Sequence, residues 1–251
     1  MKHFIKRVVN FLRPRPQYIK LPVEEILCNS SVKGTVDKFN NFYYTSGNSG
    51  NLNWRGAEMI KNPCDLWSFI DIFQELKPSI IIETGTHHGA SAMFYADICK
   101  VLNIDCRVIT IDINPKWSID PKSLNILSIK GMSTNNSVVN EVKAYVERYA
   151  NSGNVIVLLD SDHSRENVLR ELSIYSQFVT EGSYAIVEDT NVNGHPSFPA
   201  HGPGPWEAVD DFLDGGGSTC FEVDRSRERF LLTFNPRGYL RKKKSISKIR
   251  S

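Results

Sequence analysis

Apolar residues recur at helical spacing from Asp65 to Lys77, where Leu66, Trp67, Phe69, Ile70, Phe73 and Leu76 form one stripe before Pro78. Beyond that stripe, short β-branched runs alternate with helical segments. Ser79–Glu83 predicts a strand ending in an acid, Gly85 to Gly89 a turn, and Ala90–Leu102 a helix. Arg107–Asp112 predicts a second strand and Leu124–Ile129 a weaker third. A helix over Ser137–Ala150 follows, with Ser137 and Glu141 as a loose N-terminal signal. Val155–Asp160 opens with five consecutive apolar residues, the pattern of a strand buried on both faces. Arg165–Phe178 predicts a helix ended by Gly182, Tyr184–Asp189 a strand, and Trp206–Leu213 a helix. Phe221–Val223 and Phe230–Phe234 predict a closing antiparallel hairpin. Residues 21–62 are polar and aromatic, with turn clusters such as Ser46–Asn51, and predict an irregular cap or lid. The expected fold is α/β, an open, mostly parallel sheet with a C-terminal antiparallel hairpin and helices on both faces.

Composition adds limits. The chain has 251 residues, 41% hydrophobic and 23% charged, which excludes a disordered or low-complexity protein. Apolar runs such as Val155–Leu159 fall far short of the roughly 18–20 residues that cross a bilayer. The five cysteines are scattered with no C-x-x-C pair, so neither a zinc site nor a disulfide framework is expected. Met1–Arg15 lacks the continuous apolar core of a signal peptide, and a reducing, cytoplasmic setting is expected. The net charge of +2 is uneven. Residues 1–20 and 240–251 each hold six Lys/Arg and no acid, which leaves 18 basic against 28 acidic residues, a charge of −10, for the rest. Basic ends on an acidic body argue against a nucleic-acid partner. They suit either plain solvation or peripheral contact with an anionic membrane, with Phe4, Ile5, Val8, Val9, Phe11 and Leu12 as the apolar face of a short helix.

In parallel sheets ligands sit beyond the carboxyl ends of the strands, which selects the residues to weigh. The first strand ends in Glu83-Thr84-Gly85-Thr86-His87-His88-Gly89-Ala90-Ser91. This E-x-G-x-x-x-G pattern differs from the dinucleotide fingerprint, and its acid would repel a pyrophosphate. Asp112 ends the second strand, 27 residues after Gly85, where a carboxylate can accept both ribose hydroxyls. Together they favour a nucleoside bearing a cationic or zwitterionic group, such as S-adenosylmethionine, over NAD. Asp160-Ser161-Asp162-His163 and Glu188-Asp189 end two strands one crossover apart. Converging carboxylates need a cation, and hard oxygen ligands suit Mg²⁺, or alternatively Mn²⁺ or Ca²⁺, better than Zn²⁺. Asp162 also fits a plain helix N-terminal acid. His163, with an ordinary pKa of ~6.5, is a candidate general base. His87, His88, His195 and His201 fall in turns and loops that suit either loop structure or substrate contact.

Several of these segments resemble the cephalosporin hydroxylase family. They are Asn62–Trp67, Ile81–Ser91, Leu159–His163 with Val168–Leu172, Gly182–Thr190, Gly202-Pro203-Gly204 and Asn235–Leu240. The resemblance runs in order over about residues 62–241, with Gly89-Ala90-Ser91 where relatives often read Gly-Gly-Ser. It implies a Rossmann-like class I methyltransferase sheet, similar to rhamnosyl and macrolide-sugar O-methyltransferases. It further implies S-adenosyl-L-methionine and Mg²⁺ as cofactors, Asp160, Glu188 and Asp189 as metal ligands, and His163 as the catalytic base. The candidate cofactor-binding set is Glu83, Gly85, Thr86, His88, Gly89, Ser91, Asp112, Ser133 and Asp160. The expected domains are a basic segment and cap over 1–61, a methyltransferase domain over 62–240 and a basic tail over 241–251. The expected reaction is Mg²⁺-dependent methylation of a hydroxyl on a small-molecule or glycan acceptor, in a chain compatible with a homo-oligomer. A non-haem iron oxygenase is the competing enzyme reading, but it wants two His and a carboxylate on one metal and no His-x-Asp/Glu signature occurs. A non-catalytic membrane-surface protein is the competing non-enzyme reading.

Overall fold

A computed structural model describes residues 21–48 and 52–245, and the expected amphipathic helix near the N-terminus lies outside them. The region read as irregular contains a short helix α1 (Val23–Leu27), a 16-residue helix α2 (Ser30–Thr45) and a hairpin of β1 (Leu52–Trp54) with β2 (Ala57–Met59). The side chain of Asn29 caps α2 by accepting the N–H groups of Ser31 and Val32 at 3.1 and 3.2 Å. Val32, Val36, Phe39 and Tyr43 recur along it at helical spacing, yet Asn40 is its only buried residue.

The chain then alternates: α3 (Pro63–Leu76), β3 (Ile80–Thr84), α4 (Ala90–Val101), β4 (Arg107–Asp112), β5 (Ile126–Lys130), α5 (Asn136–Tyr149), β6 (Val155–Leu159), α6 (Arg165–Tyr175), β7 (Tyr184–Val187), α7 (Pro205–Asp214), β8 (Phe221–Val223) and β9 (Tyr239–Lys242). Seven strands form one sheet in the order β5-β4-β3-β6-β7-β9-β8. The first five in that order are parallel, and β9 runs antiparallel to both β7 and β8. The aliphatic β3 and β6 occupy the centre and are buried along their whole length. One apolar layer packs Phe69 and Phe73 of α3 and Met93 and Tyr95 of α4 with Ile81, Val108, Ile156 and Ile186. The other packs Val142, Leu172, Tyr175 and Val209 of α5, α6 and α7 with Ile80, Ile82, Ile109 and Val157.

The closing pair differs from the expected one. Phe230–Phe234 is a loop, with Leu231 at φ 63°, and the partner of β8 is β9. The loop is claimed by Asp65 in the first turn of α3. Its carboxylate accepts the Thr233 hydroxyl at 2.5 Å, the Phe234 N–H at 2.8 Å and the Tyr239 hydroxyl at 2.8 Å. Arg241 and Lys242, read as the start of a tail, therefore belong to the sheet.

Burial raises the Asp65 pKa to about 6 even against those three donors. Asp65→Ala should leave all three donors without an acceptor and cost on the order of 3 kcal/mol, read as a lower urea midpoint. A midpoint shift equivalent to less than about 1 kcal/mol would show that water replaces the carboxylate there.

Candidate active site

A cleft of about 580 Å³ opens at the carboxyl ends of β3, β4 and β6. Its walls include Gly85, Thr86, His88, Ser91, Asp112, Ser133, Asp160, His163 and Asp189, nine residues singled out from the sequence. Ile60, Ile113 and Met132 stand exposed around its mouth. The volume lies in the range of small-molecule sites.

Two glycines of the first turn are required by packing. A Cβ on Gly85, at φ 90°, would lie 1.8 Å from the carbonyl oxygen of Asp160, so β3 and β6 could not converge. A Cβ on Gly89, at φ 74°, would lie 2.4 Å from the Trp117 ring. Gly89 therefore receives an indole and is absent from the cleft wall, unlike its sequence-based assignment. Asp112 also has a structural task. Its Oδ2 accepts the N–H groups of Thr86 and His87, both at 2.9 Å, and its Oδ1 accepts that of Asn114 at 2.7 Å. It pins the glycine turn while remaining on the cleft wall, with about one acceptor site, on Oδ1, left for a further donor.

Side-chain alternation decides where the acids go. Ile81 of β3, Ile156 of β6 and Ile186 of β7 share one core layer. Glu83, Asp160 and Glu188, each an even number of residues further on, therefore turn toward the same face. Glu83 lies beneath the cleft, fully buried, with its carboxylate accepting the Thr110 hydroxyl at 2.6 Å. It is absent from the wall expected of it. Burial raises its pKa to about 7, against the pull of Lys61.

Lys61 lines the cleft and was not singled out from the sequence. Its side chain is 4% exposed, and its ammonium bonds Asp160 Oδ2 and lies 2.8 Å from Glu188 Oε2. Nothing local marks this lysine apart from its place just before the helix cap Asn62, whose side chain accepts the Cys64 N–H at 2.9 Å. Burial disfavours the ammonium, yet Asp160 and Glu188 outweigh it and raise the Lys61 pKa. Burial likewise raises the Glu188 pKa, and Glu188 Oε1 has no hydrogen-bond partner among the described residues.

Asp160, His163 and Asp189 form a second group, with one possible ligand atom from each lying within 4.8 Å of the others. Glu188, expected as the third metal-binding carboxylate, is drawn to Lys61 and is absent from this group. His163 Nε2 faces Asp160 Oδ1 at 3.3 Å and Asp189 Oδ2 at 3.4 Å. Asp189 sits at φ 54°, a conformation uncommon for a non-glycine residue. Its N–H donates to Asn235 Oδ1 at 3.0 Å, and Gly238 lets the chain pass so near Val187 that a Cβ would meet its carbonyl oxygen at 2.1 Å. The Asn235–Leu240 segment thus supports the end of β7.

Two further groups complete the surroundings. Glu171, buried on the opposite face, accepts the hydroxyls of Thr84 at 3.1 Å, Ser161 at 2.7 Å and Ser133. Glu58, His87 and His88 bring a carboxylate and two imidazoles together at the cleft mouth, with the two rings stacked at 4.0 Å.

The strand order and the cleft beyond the parallel strands define a Rossmann-like fold of the class I methyltransferase type. The CmcI apo-structure superposes with a TM-score of 0.59 at 24% identity, covering 78% of each chain. The CmcI Mg–SAM structure gives 0.58 at 24%, covering 77% of each. The family model described as Rhamnosyl O-methyltransferase/CmcI matches residues 46–243. Rhamnosyl O-methyltransferase from Mycobacterium tuberculosis is 33% identical over 214 residues, 82% of this chain and 84% of that protein. The Mycobacterium leprae protein of the same name is 33% identical over 211 residues, 83% and 90%. The chain belongs to the Rhamnosyl O-methyltransferase/CmcI family.

Burial disfavours the His163 imidazolium, but Asp189 and Asp160 outweigh it and raise the pKa from 6.5 to about 9. Because the folded value lies above the ordinary one, the imidazolium adds stability that is complete below about pH 6.5 and is lost as pH rises through about 9. Asp189→Asn should lower the His163 titration in metal-free protein by about one unit or more, followed through the imidazole Cε1 proton by NMR. An unchanged titration would remove Asp189 as the controlling charge.

Proposed function

We propose that this S-adenosylmethionine-dependent O-methyltransferase methylates a sugar hydroxyl with the help of a divalent cation, Mg²⁺ by preference. The convergence of Asp160, His163 and Asp189 on one cleft wall carries the reading. The rhamnosyl O-methyltransferase names of the mycobacterial relatives support a sugar acceptor.

Gly85, Thr86, His88, Ser91, Asp112 and Ser133 would line the donor site, and the acceptor site left on Asp112 Oδ1 suits one ribose hydroxyl. Asp160 and Asp189 would hold the cation, because both offer hard oxygens beside the cleft and Mg²⁺ prefers such donors. Bound there, the cation supplies positive charge that polarises an acceptor hydroxyl and offsets the two carboxylates. S-adenosylmethionine supplies a methyl group on a positively charged sulfur.

His163 has the proton to handle. In the arrangement seen here its Nε2 faces two carboxylates and holds a proton at neutral pH. Cationic charge among those carboxylates would pull its pKa down and leave a neutral ring able to accept the hydroxyl proton. His163 would keep the proton that the acceptor hydroxyl gives up as its oxygen takes the methyl group from the donor sulfur. The chain's work is orientation, field and proton removal.

Incubation with S-adenosylmethionine, Mg²⁺ and rhamnosylated acceptors tests the reading, with methylated sugar as the readout. Chelation should abolish turnover and Mg²⁺ restore it. His163→Ala should lower kcat by about 10²–10⁴-fold with donor binding retained. Full activity after exhaustive chelation would remove the cation from the mechanism, and binding of NADH in place of the methyl donor would overturn the whole reading.

A further inference from the structure

Three acids reach this part of the sheet from β3, β6 and β7, and a cation is already among them. The Lys61 ammonium bonds Asp160 Oδ2 and lies 2.8 Å from Glu188 Oε2, with both of its partners' elements fixed in the central sheet. Its side chain and that of Glu188 are 4% and 5% exposed, so neither charge is screened by bulk water. Asp160 is shared: one oxygen serves the lysine and the other faces His163 on the cleft wall. Glu188 is not shared, since its second oxygen has no hydrogen-bond partner among the described residues and it lines no part of the cleft. The backbone at Lys61 is fixed by the cap of α3 at the next residue, and its ammonium is held by the two carboxylates.

We infer that Lys61 is a resident counter-cation that competes with a divalent metal ion for Asp160 and Glu188. The inference rests on the divalent-cation reading of the Asp160–Asp189 wall. Two cations drawing on one carboxylate repel each other, so the lysine sets a ceiling on metal affinity and keeps the acids neutralised while no metal is bound. Its role is positional, exerted through Asp160 and Glu188, and needs no contact with donor or acceptor.

The test is Mn²⁺ binding to the full chain without donor, read from the electron paramagnetic resonance signal of free Mn²⁺. Lys61→Met removes the competing charge and should tighten binding by about tenfold or more, whereas Lys61→Arg keeps the charge and should stay near the parent. Equal or weaker binding in Lys61→Met, with a native thermal transition, would make Lys61 a structural support and overturn the inference. If Lys61→Met does not fold, the parent protein still decides. With ¹³C-labelled lysine, the Lys61 Cε resonance, assigned through Lys61→Arg, should move during a Mg²⁺ titration and track metal occupancy. A resonance unmoved at metal saturation would overturn the inference and leave the cation reading standing. Absence of any divalent-metal binding to the parent or to either variant would overturn both.

Discussion

The organisation of this protein depends on gathering negative charge inside a parallel sheet. Alternation along β3, β6 and β7 sends Glu83, Asp160 and Glu188 to one face, and Asp189 adds a fourth carboxylate where the backbone turns out of β7. In a poorly screened interior such a set cannot stay fully ionised without positive partners. Two are supplied by the chain. Lys61 answers Asp160 and Glu188, and His163 answers Asp160 and Asp189. Burial raises the pKa values of Glu83 and Glu188 even against the pull of Lys61.

The donor side of the cleft is organised differently. There the backbone is held by contacts within the protein, with Gly85 against Asp160, Gly89 against Trp117, and Asp112 gathering three N–H groups. Such a wall is formed before anything binds, which lowers the ordering cost that a ligand must meet. The carboxylate side, by contrast, contains charges whose partners can be exchanged. One cleft thus joins a preorganised wall to an electrostatically adjustable one.

Most of the sheet was legible from the chain because β3, β4, β6 and β7 are dense in β-branched and aliphatic residues. β9 was not, since Tyr239-Leu240-Arg241-Lys242 ends in two basic residues and reads as tail. Helix α2 was missed although Val32, Val36, Phe39 and Tyr43 recur at helical spacing, because the polar residues and the turn cluster after them read as loop. The acids of the site were visible as strand ends. Their sorting into Lys61-bound and His163-bound sets was not, because that depends on side-chain direction at the strand ends and on a lysine far away in sequence. Glu83 and Gly89 were selected as special positions, and the structure gives each a packing task that spacing does not reveal. One serves a buried network and the other an indole.

Asp65 draws Thr233, Phe234 and Tyr239 to the start of α3, and Asn235 takes up the backbone N–H of Asp189. These contacts span up to 174 residues, and β9 inserts between β7 and the edge strand β8. A chain emerging from the ribosome can therefore build β3, β4 and the donor wall while Asp189 still lacks its backing. The carboxylate wall is completed only when residues 233–242 have been synthesised and folded back, so the carboxylate half of the cleft matures last and depends on an intact C-terminal segment.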